Sequence, residues 1–260
     1  MYGLIITFGI LISTLLGEKI VKASLPPISL TAGRKERGLD QNNYWSTVFW
    51  VIIFGVIGAR LYHVVDYWEV YSQDYNLIWQ IYNGGLGIYG GVFGGLLGAF
   101  VYLVIKGEPV GTWADVAAII TPLGQAVGRW GNYVNQELYG KPTSLPWGIF
   151  IESESGYFHP LFFYESFLNL ILFLILWRTY RKRSLAFGRG LFLTVYLLGY
   201  GVIRFWLEFL RIDPWSIGGL NVAQAISVAI IGTCVLILMK NKIREQEKIV
   251  EQSSSETKTG

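Results

Sequence analysis

The stretch VAAIITPLGQAVGRWGNYVNQELYG, residues 116–140, passes from an apolar segment directly into a dense set of hydrogen-bonding side chains. The apolar part is Val116–Val127 and the polar part is Gly128–Gly140. The polar side chains are those of Arg129, Asn132, Asn135, Gln136 and Glu137. An arginine beside an apolar run is costly in a bilayer, and guanidinium groups pair well with phosphate. This stretch therefore indicates a site at a membrane boundary that binds a charged lipid headgroup or a similar ligand.

The composition of the whole chain is that of an integral membrane protein. Of its 260 residues, 52% are hydrophobic and 15% are charged, whereas a soluble domain carries about 25% charged residues. The apolar residues cluster in segments close to the roughly 20 residues that cross a bilayer. We therefore predict an all-α integral membrane protein with no nucleic-acid partner, and a soluble protein with a large buried core is the weaker alternative.

The apolar segments predict a bundle of about seven transmembrane helices in one domain, residues 1–243, followed by a polar, disordered cytoplasmic tail, residues 244–260. The predicted helices are 3–22, 47–66, 84–106, 114–130, 160–179, 189–210 and 219–240. The first is the weakest, because only Tyr2–Leu16 is apolar before Glu18 and Lys19. No basic region precedes it, so it does not resemble a cleavable signal peptide.

Basic residues alternate between successive loops and thereby predict the orientation. The first loop carries Lys19, Lys22, Arg34, Lys35 and Arg37, and the fifth carries Arg178, Arg181, Lys182, Arg183 and Arg189. The C-terminal tail is also basic, whereas the second, fourth and sixth loops have few basic residues. Because basic loops stay in the cytoplasm, we predict that the N-terminus lies outside and the C-terminus lies in the cytoplasm.

Charged side chains inside the predicted helices are the main indication of a site. They are Arg60, Arg129, Glu165, Arg204 and Glu208. All lie in the outer half, and each arginine at mid-bilayer would cost about 2.5–3.5 kcal/mol. Arg204, Glu208 and Arg211 are spaced to share one helix face. One interpretation is a set of buried ion pairs that hold the helices in register; the other is that three arginines exceed two glutamates and bind an anion such as phosphate.

The segment YNGGLGIYGGVFGGLLGA, Tyr82–Ala99, is rich in glycine at four-residue steps, which is typical of closely packed membrane helices. Gly85, Gly87 and Gly90 also match the spacing of a dinucleotide fingerprint, but no strand precedes them. Tyr89 lies near the outer start of this helix. Its hydroxyl either faces the predicted site or belongs to an interfacial aromatic belt.

The remaining reactive residues are few. Cys234 is the only cysteine, so no intrachain disulfide forms, and two histidines, His63 and His159, make a His-rich metal site improbable; we predict no metal and no cofactor. No G-x-S-x-G motif occurs, so the nucleophile of any reaction is expected to belong to the substrate.

Four blocks of the sequence together resemble one known family. GRWGNYVNQELYG is similar to the signature of the prolipoprotein diacylglyceryl transferases of bacterial membranes, and the resemblance extends through YNGGLGIYGG, HPLFFYE and GYGVIRFWLEFLR. It covers nearly the whole chain, from Tyr2 to about Lys240. The resemblance implies transfer of the diacylglyceryl group of phosphatidylglycerol to the lipobox cysteine thiol of a prolipoprotein signal peptide, which forms a thioether and releases glycerol 1-phosphate. It also implies a multi-pass protein in membrane lipid, in the bacterial cytoplasmic (inner) membrane, with an extracytoplasmic active site.

The resemblance also implies the site residues. Arg129 and Arg204 match the family's two key arginines, which are thought to hold the phosphate. The predicted substrate-binding residues are Arg129, Asn132, Glu137, Gly140, Tyr200, Arg204, Glu208, Arg211, Arg60 and Tyr2. Tyr89 stands where many members have a histidine that is assigned as the base for the thiol. With an unperturbed pKa near 10, tyrosine is a poor base, so Tyr89 only orients the substrate, or the base lies elsewhere, or that assignment is not general.

Two questions stay open at the level of sequence. Family members usually carry an arm before the block that begins at Tyr2, so we expect either a longer natural chain or a protein without that arm.

A transporter or flippase for an anionic lipid or solute is the alternative function, since it would also use arginines near a cavity. Transporters often have repeated halves and midplane sites, and this chain has neither an evident repeat nor central charges. The base, the acyl-chain preference and the oligomeric state are not determined.

Overall fold

A computed structural model describes residues 2–24, 39, 41–182 and 187–259, and it is mostly helical. The side chains of Tyr2 and of residues 244–259 are not described. The helices are α1 (Tyr2–Ala23), α2 (Gln41–Asp66), α3 (Trp68–Tyr71), α4 (Ile88–Lys106), α5 (Val110–Val134), α6 (Leu161–Arg181), α7 (Leu191–Leu207) and α8 (Val222–Thr259). Short 3-10 helices are Tyr75–Trp79, Ile81–Asn83 and Glu208–Leu210. The loop residues Arg34, Lys35, Arg37 and Arg183 lie outside the described residues.

The structure confirms a helical protein with several membrane-spanning segments, close to the seven that were predicted. Six segments within the described ranges are long and apolar enough to cross a membrane: Gly3–Ala23, Gln41–Asp66, Ile88–Lys106, Leu161–Arg181, Leu191–Leu210 and Val222–Ile243. The remaining long helix, α5, has 25 residues and contains the charged residues Asp115 and Arg129. With α5, the long helices number seven in the described residues, which fits the expected integral membrane protein of about seven helices. The backbone of α8 is helical as far as Thr259, and the division of the chain at residue 243 stays a prediction.

Two details of the helix predictions were wrong. The third predicted helix begins at Ile88 rather than at residue 84, because Gly84 and Gly85 adopt positive φ angles of 88° and 76° and form a turn. Two short antiparallel hairpins were not predicted. They pair β1 (Ile149–Ile151) with β2 (Gly156–Phe158), and β3 (Ser216–Ile217) with β4 (Leu220–Asn221). Strands of two or three residues are too short to produce a recognisable alternation.

The chain forms two compact units, of which the smaller is Leu16–Val110. Within it, glycines let α2 and α4 pack backbone to backbone. A Cβ atom added to Gly58 would lie 3.0 Å from the Cα atom of Gly94 and would collide with the carbonyl oxygen of Gly90. A Cβ atom on Gly95 would lie 3.3 Å from the carbonyl oxygen of Val51. The close helix approach predicted from the glycine spacing is therefore confirmed.

The larger unit comprises Met1–Leu15 and Gly111–Gly260. Helix α5 contacts α6 through Ser166, whose hydroxyl donates to the carbonyl oxygen of Ala126 at 2.7 Å. The carboxylate of Asp115, which is fully buried, joins α5 to the start of α7. It accepts hydrogen bonds from the backbone N–H groups of Gly188, Gly190 and Leu193 at 2.8–3.1 Å. These contacts align α5, α6 and α7, the helices that carry the predicted phosphate-binding residues.

The glycine packing of α2 against α4 yields a stability prediction. We expect Gly58→Ala to lower the unfolding free energy by about 2 kcal/mol, because the added methyl group must push two backbones apart. Thermal unfolding of the purified protein in detergent, followed by tryptophan fluorescence, measures the effect. Gly232→Ala in α8 is the matched control, since a Cβ atom there meets nothing within 4 Å. Equal melting temperatures for the two variants would contradict this account of the helix pair.

Candidate functional site

The carboxylate of Glu165 lies between two arginines that come from different helices. Its Oε1 atom accepts a hydrogen bond from Nη2 of Arg129, on α5, at 2.7 Å. Its Oε2 atom lies 3.7 Å from Nη1 of Arg204, on α7. The hydroxyl of Tyr200 donates to Oε1 at 3.3 Å. One carboxylate on α6 therefore brings the two predicted phosphate-binding arginines together.

The cluster continues at the C-terminal end of α7. Nη2 of Arg204 donates to Oε2 of Glu208 at 2.9 Å, and Nη1 of Arg211 lies 3.6 Å from Oε1 of the same carboxylate. The side chain of Glu208 is 0% exposed, so its charge is neutralised by protein groups alone. The four-residue and three-residue spacings predicted a shared face for these side chains, and the structure confirms it.

Charge and exposure differ between the two kinds of side chain in this cluster. Three arginines, Arg129, Arg204 and Arg211, form ion pairs with two glutamates, Glu165 and Glu208, which leaves one surplus positive charge. The guanidinium side chains of Arg129 and Arg204 are 25% and 24% exposed, whereas that of Glu165 is 6% exposed. The glutamates thus lie beneath the arginines, and the guanidinium groups face outward. This arrangement suits the binding of one anion.

Arg129 is also held by the last turn of α5, which is in turn bound by the loop that follows it. Nη1 of Arg129 donates to Oδ1 of Asn132 at 3.3 Å, and Nδ2 of Asn132 donates to Oε1 of Glu137 at 2.9 Å. Asn132 is buried, and its amide group is used by these two protein partners. Gln136 and Leu138 have positive φ angles of 50° and 56°, which are uncommon for residues other than glycine. No local sequence signal identified this backbone conformation.

Gly140 belongs to the framework of the cluster. Its N–H donates to the carbonyl oxygen of His159 at 2.9 Å, and it forms an isolated antiparallel bridge with Arg211. A Cβ atom at this position would lie 2.9 Å from the Cβ atom of His159 and 2.9 Å from the carbonyl oxygen of Leu210. The structure thus gives a packing reason for a glycine beside Arg211, and direct substrate contact by Gly140 stays a prediction.

Arg60 lies in the smaller unit, where it binds main-chain carbonyl groups. It is buried, and its guanidinium group donates to the carbonyl oxygens of Leu77, Ile78, Gly84 and Gly85. These contacts occupy four of the five N–H groups that a guanidinium carries. The surplus positive charge was predicted from Arg60, Arg129 and Arg204. In the larger unit, the arginine that joins Arg129 and Arg204 in the ion-paired cluster is Arg211.

Tyr89 also lies in the smaller unit, at the start of α4. Its ring centroid is 6.0 Å from that of Tyr62 on α2, and its side chain is largely exposed. Both of its predicted locations, facing the site or in an aromatic belt, stay open. The side chain of Tyr2, at the beginning of α1, lies outside what the structure describes, and its role also stays a prediction.

The sequence is similar to proteins of one family along most of its length. The sequence model of the prolipoprotein diacylglyceryl transferase family matches residues 1–240. Two relatives carry the name phosphatidylglycerol–prolipoprotein diacylglyceryl transferase. The one from Fervidobacterium nodosum is 38% identical over 239 residues, which cover 88% of this chain and 77% of the relative. The one from Finegoldia magna is 34% identical over 250 residues, which cover 95% and 94%.

The shared carboxylate yields a second stability prediction. We expect Glu165→Gln to lower the unfolding free energy by about 2 kcal/mol, because two neighbouring guanidinium groups lose their common counter-charge; their partial exposure keeps the loss below that of a fully buried pair. For a chain of this size the melting temperature should fall by roughly 4–8 °C. Glu152→Gln is the control, because it removes an exposed carboxylate from the same unit. A melting temperature of the Glu165 variant equal to that of the control would show that the ion pairs do not stabilise the unit.

Proposed function

Since the chain belongs to the prolipoprotein diacylglyceryl transferase family, we propose that it transfers the diacylglyceryl group of phosphatidylglycerol to the lipobox cysteine thiol of prolipoprotein signal peptides. A thioether forms and glycerol 1-phosphate is released. The protein is a multi-pass membrane protein, and its site faces the extracytoplasmic side of the bacterial cytoplasmic membrane. The distribution of basic loop residues supports this orientation.

The observation that carries the proposal is the pair of arginines on one carboxylate. Arg129 and Arg204 are held together by Glu165, are partly exposed, and belong to a cluster with one surplus positive charge. The phosphodiester of phosphatidylglycerol carries one negative charge, which this cluster neutralises. The leaving phosphate gains a second negative charge as the ester bond breaks. Guanidinium groups already in place therefore stabilise the transition state more than the ground state.

The reaction is a substitution at the glycerol carbon that bears the phosphate. The thiol loses its proton, and the sulfur of the thiolate attacks that carbon. The carbon–sulfur bond forms as the carbon–oxygen bond breaks, and the electron pair leaves with the phosphate oxygen of glycerol 1-phosphate. The nucleophile comes from the substrate. The acyl chains and the signal-peptide helix approach laterally from the bilayer, since both are apolar.

The other predicted site residues support the two arginines in different ways. Asn132 and Glu137 hold Arg129 through a chain of hydrogen bonds, and Tyr200 holds Glu165. Glu208 and Arg211 extend the ion-pair network around Arg204. Arg60 holds the turn before α4 through its hydrogen bonds to carbonyl groups, and its contact with substrate stays a prediction.

The arginine pair yields the main activity prediction. We expect Arg129→Ala and Arg204→Ala each to reduce transfer by at least about 100-fold, the usual loss when one donor to a developing oxyanion is removed. Thioether formation on a lipobox peptide in vesicles that contain phosphatidylglycerol measures the effect. Arg178→Ala, at the opposite end of α6, removes an exposed arginine and serves as the control.

Two results of that assay would contradict the proposal. Full transfer by both arginine variants would show that the pair does not stabilise the reacting phosphate. Movement of lipid or solute across the vesicle membrane without thioether product, in the unmodified protein, would instead favour a transporter.

Tyr89 requires a separate test. Because a phenol is a poor base near neutral pH, we expect Tyr89→Phe to retain transfer within roughly tenfold, less than the loss caused by removing a general base. The same assay measures the rate, with Tyr62→Phe as a control at the neighbouring ring. A loss of 100-fold or more for Tyr89→Phe alone would assign the hydroxyl to the chemical step.

A further inference from the structure

We propose that Glu137 determines the headgroup specificity of the enzyme, by accepting hydrogen bonds from the hydroxyl groups of the glycerol that leaves with the phosphate. This inference rests on the proposed function and concerns the same site. It concerns recognition of the leaving group, which is chemically separate from the neutralisation of the phosphate by the arginines.

The first argument is that Glu137 is a held carboxylate on an otherwise exposed loop. Its Oε1 atom accepts hydrogen bonds from the side-chain amides of Asn132 at 2.9 Å and Asn135 at 3.4 Å. The residues before and after it, Gln136 and Leu138, both have positive φ angles. Uncommon backbone conformations of this kind cost free energy and are found where a side chain must be aimed.

The second argument is the position of Glu137 relative to Arg129. The amide of Asn132 binds the guanidinium of Arg129 through Oδ1, at 3.3 Å, and the carboxylate of Glu137 through Nδ2. The cation and the anion are thus attached to the two ends of one buried amide group. A phosphodiester bound at Arg129 places its short glycerol substituent within reach of the carboxylate.

The third argument is that the carboxylate of Glu137 is incompletely paired. Among the described residues of the larger unit, the ion pairs involve Glu165 and Glu208 but not Glu137. In the same part of the chain, the hydrogen bonds to its side chain all reach Oε1. Glu137 is exposed, whereas the other two glutamates are buried. Oε2 of Glu137, which lies outside the ion-paired cluster, is therefore an acceptor that a ligand can reach.

The chemistry of the headgroup fits that acceptor. An ionised carboxylate only accepts hydrogen bonds, and the two hydroxyls of the leaving glycerol can each donate one. A headgroup without hydroxyls makes no hydrogen bond to Oε2 and places an apolar group beside the carboxylate, which a polar site disfavours.

The test compares two lipids that share the diacylglyceryl group and the phosphodiester. Phosphatidylglycerol carries both hydroxyls, and phosphatidylpropanol carries neither. We expect the unmodified protein to prefer phosphatidylglycerol by about tenfold or more in kcat/KM, as hydrogen bonds to a charged acceptor imply. Glu137→Gln keeps an oxygen for Asn132 but replaces the other acceptor with an NH2 group. The preference should then fall to roughly threefold or less, because kcat/KM falls more for phosphatidylglycerol than for phosphatidylpropanol.

Two further variants separate recognition from support of Arg129. Glu137→Asp retains a carboxylate and should keep part of the preference. Glu154→Gln removes a carboxylate that accepts a hydrogen bond from Tyr139 at 3.1 Å, and it should leave the preference unchanged. An equal loss with both lipids in Glu137→Gln, or a preference that does not change, would overturn the inference while transfer itself persists. Absence of transfer by the unmodified protein with either lipid would overturn the proposed function and, with it, this inference.

Discussion

The interaction on which the site depends is the sharing of one buried carboxylate by two arginines. Glu165 on α6 pairs with Arg129 on α5 through one oxygen and with Arg204 on α7 through the other. Like charges so close repel each other unless an anion lies between them, so the position of the carboxylate decides where both guanidinium groups lie. The hydroxyl of Tyr200 adds a hydrogen bond to the same carboxylate. The three helices are thereby constrained at the ends that carry these side chains, where the anionic ligand is proposed to bind.

The two compact units meet the demands of a bilayer in different ways. In the smaller unit, the glycines of α2 and α4 bring the two backbones into contact, and apolar packing joins the helices. The turn before α4 exposes carbonyl groups that no helix satisfies, and the buried guanidinium of Arg60 donates to them. In the larger unit, a carboxylate satisfies unpaired backbone groups instead. Asp115 accepts hydrogen bonds from three backbone N–H groups at the start of α7. Unpaired backbone groups are costly in lipid, which explains why charged residues serve structure here as well as chemistry.

Prediction from sequence succeeded where the signal is carried by long segments and failed where it depends on a few residues. The approximate positions of the helices followed from the lengths of the apolar segments. The close packing of α2 against α4 followed from the four-residue spacing of the glycines. The hairpins were missed because strands of two or three residues have no period to detect. The role of Arg60 in substrate binding stays a prediction, because the cost of its intramembrane position does not distinguish a residue that binds carbonyl groups from an anion ligand. The left-handed conformations of Gln136 and Leu138 could not be predicted, because the amino-acid composition of the loop does not indicate them.

The sequence by itself determined the membrane class, the approximate spans and the set of charged residues placed near one end of the bundle, because the bilayer imposes length and polarity on every segment separately. The tertiary structure decided which charges pair. Arg129, Glu165 and Arg204 are far apart along the chain, and their contact depends on how α5, α6 and α7 pack. The tertiary structure also decided that the guanidinium groups face outward over buried glutamates, since exposure is a property of the packed bundle and is not encoded in any single helix.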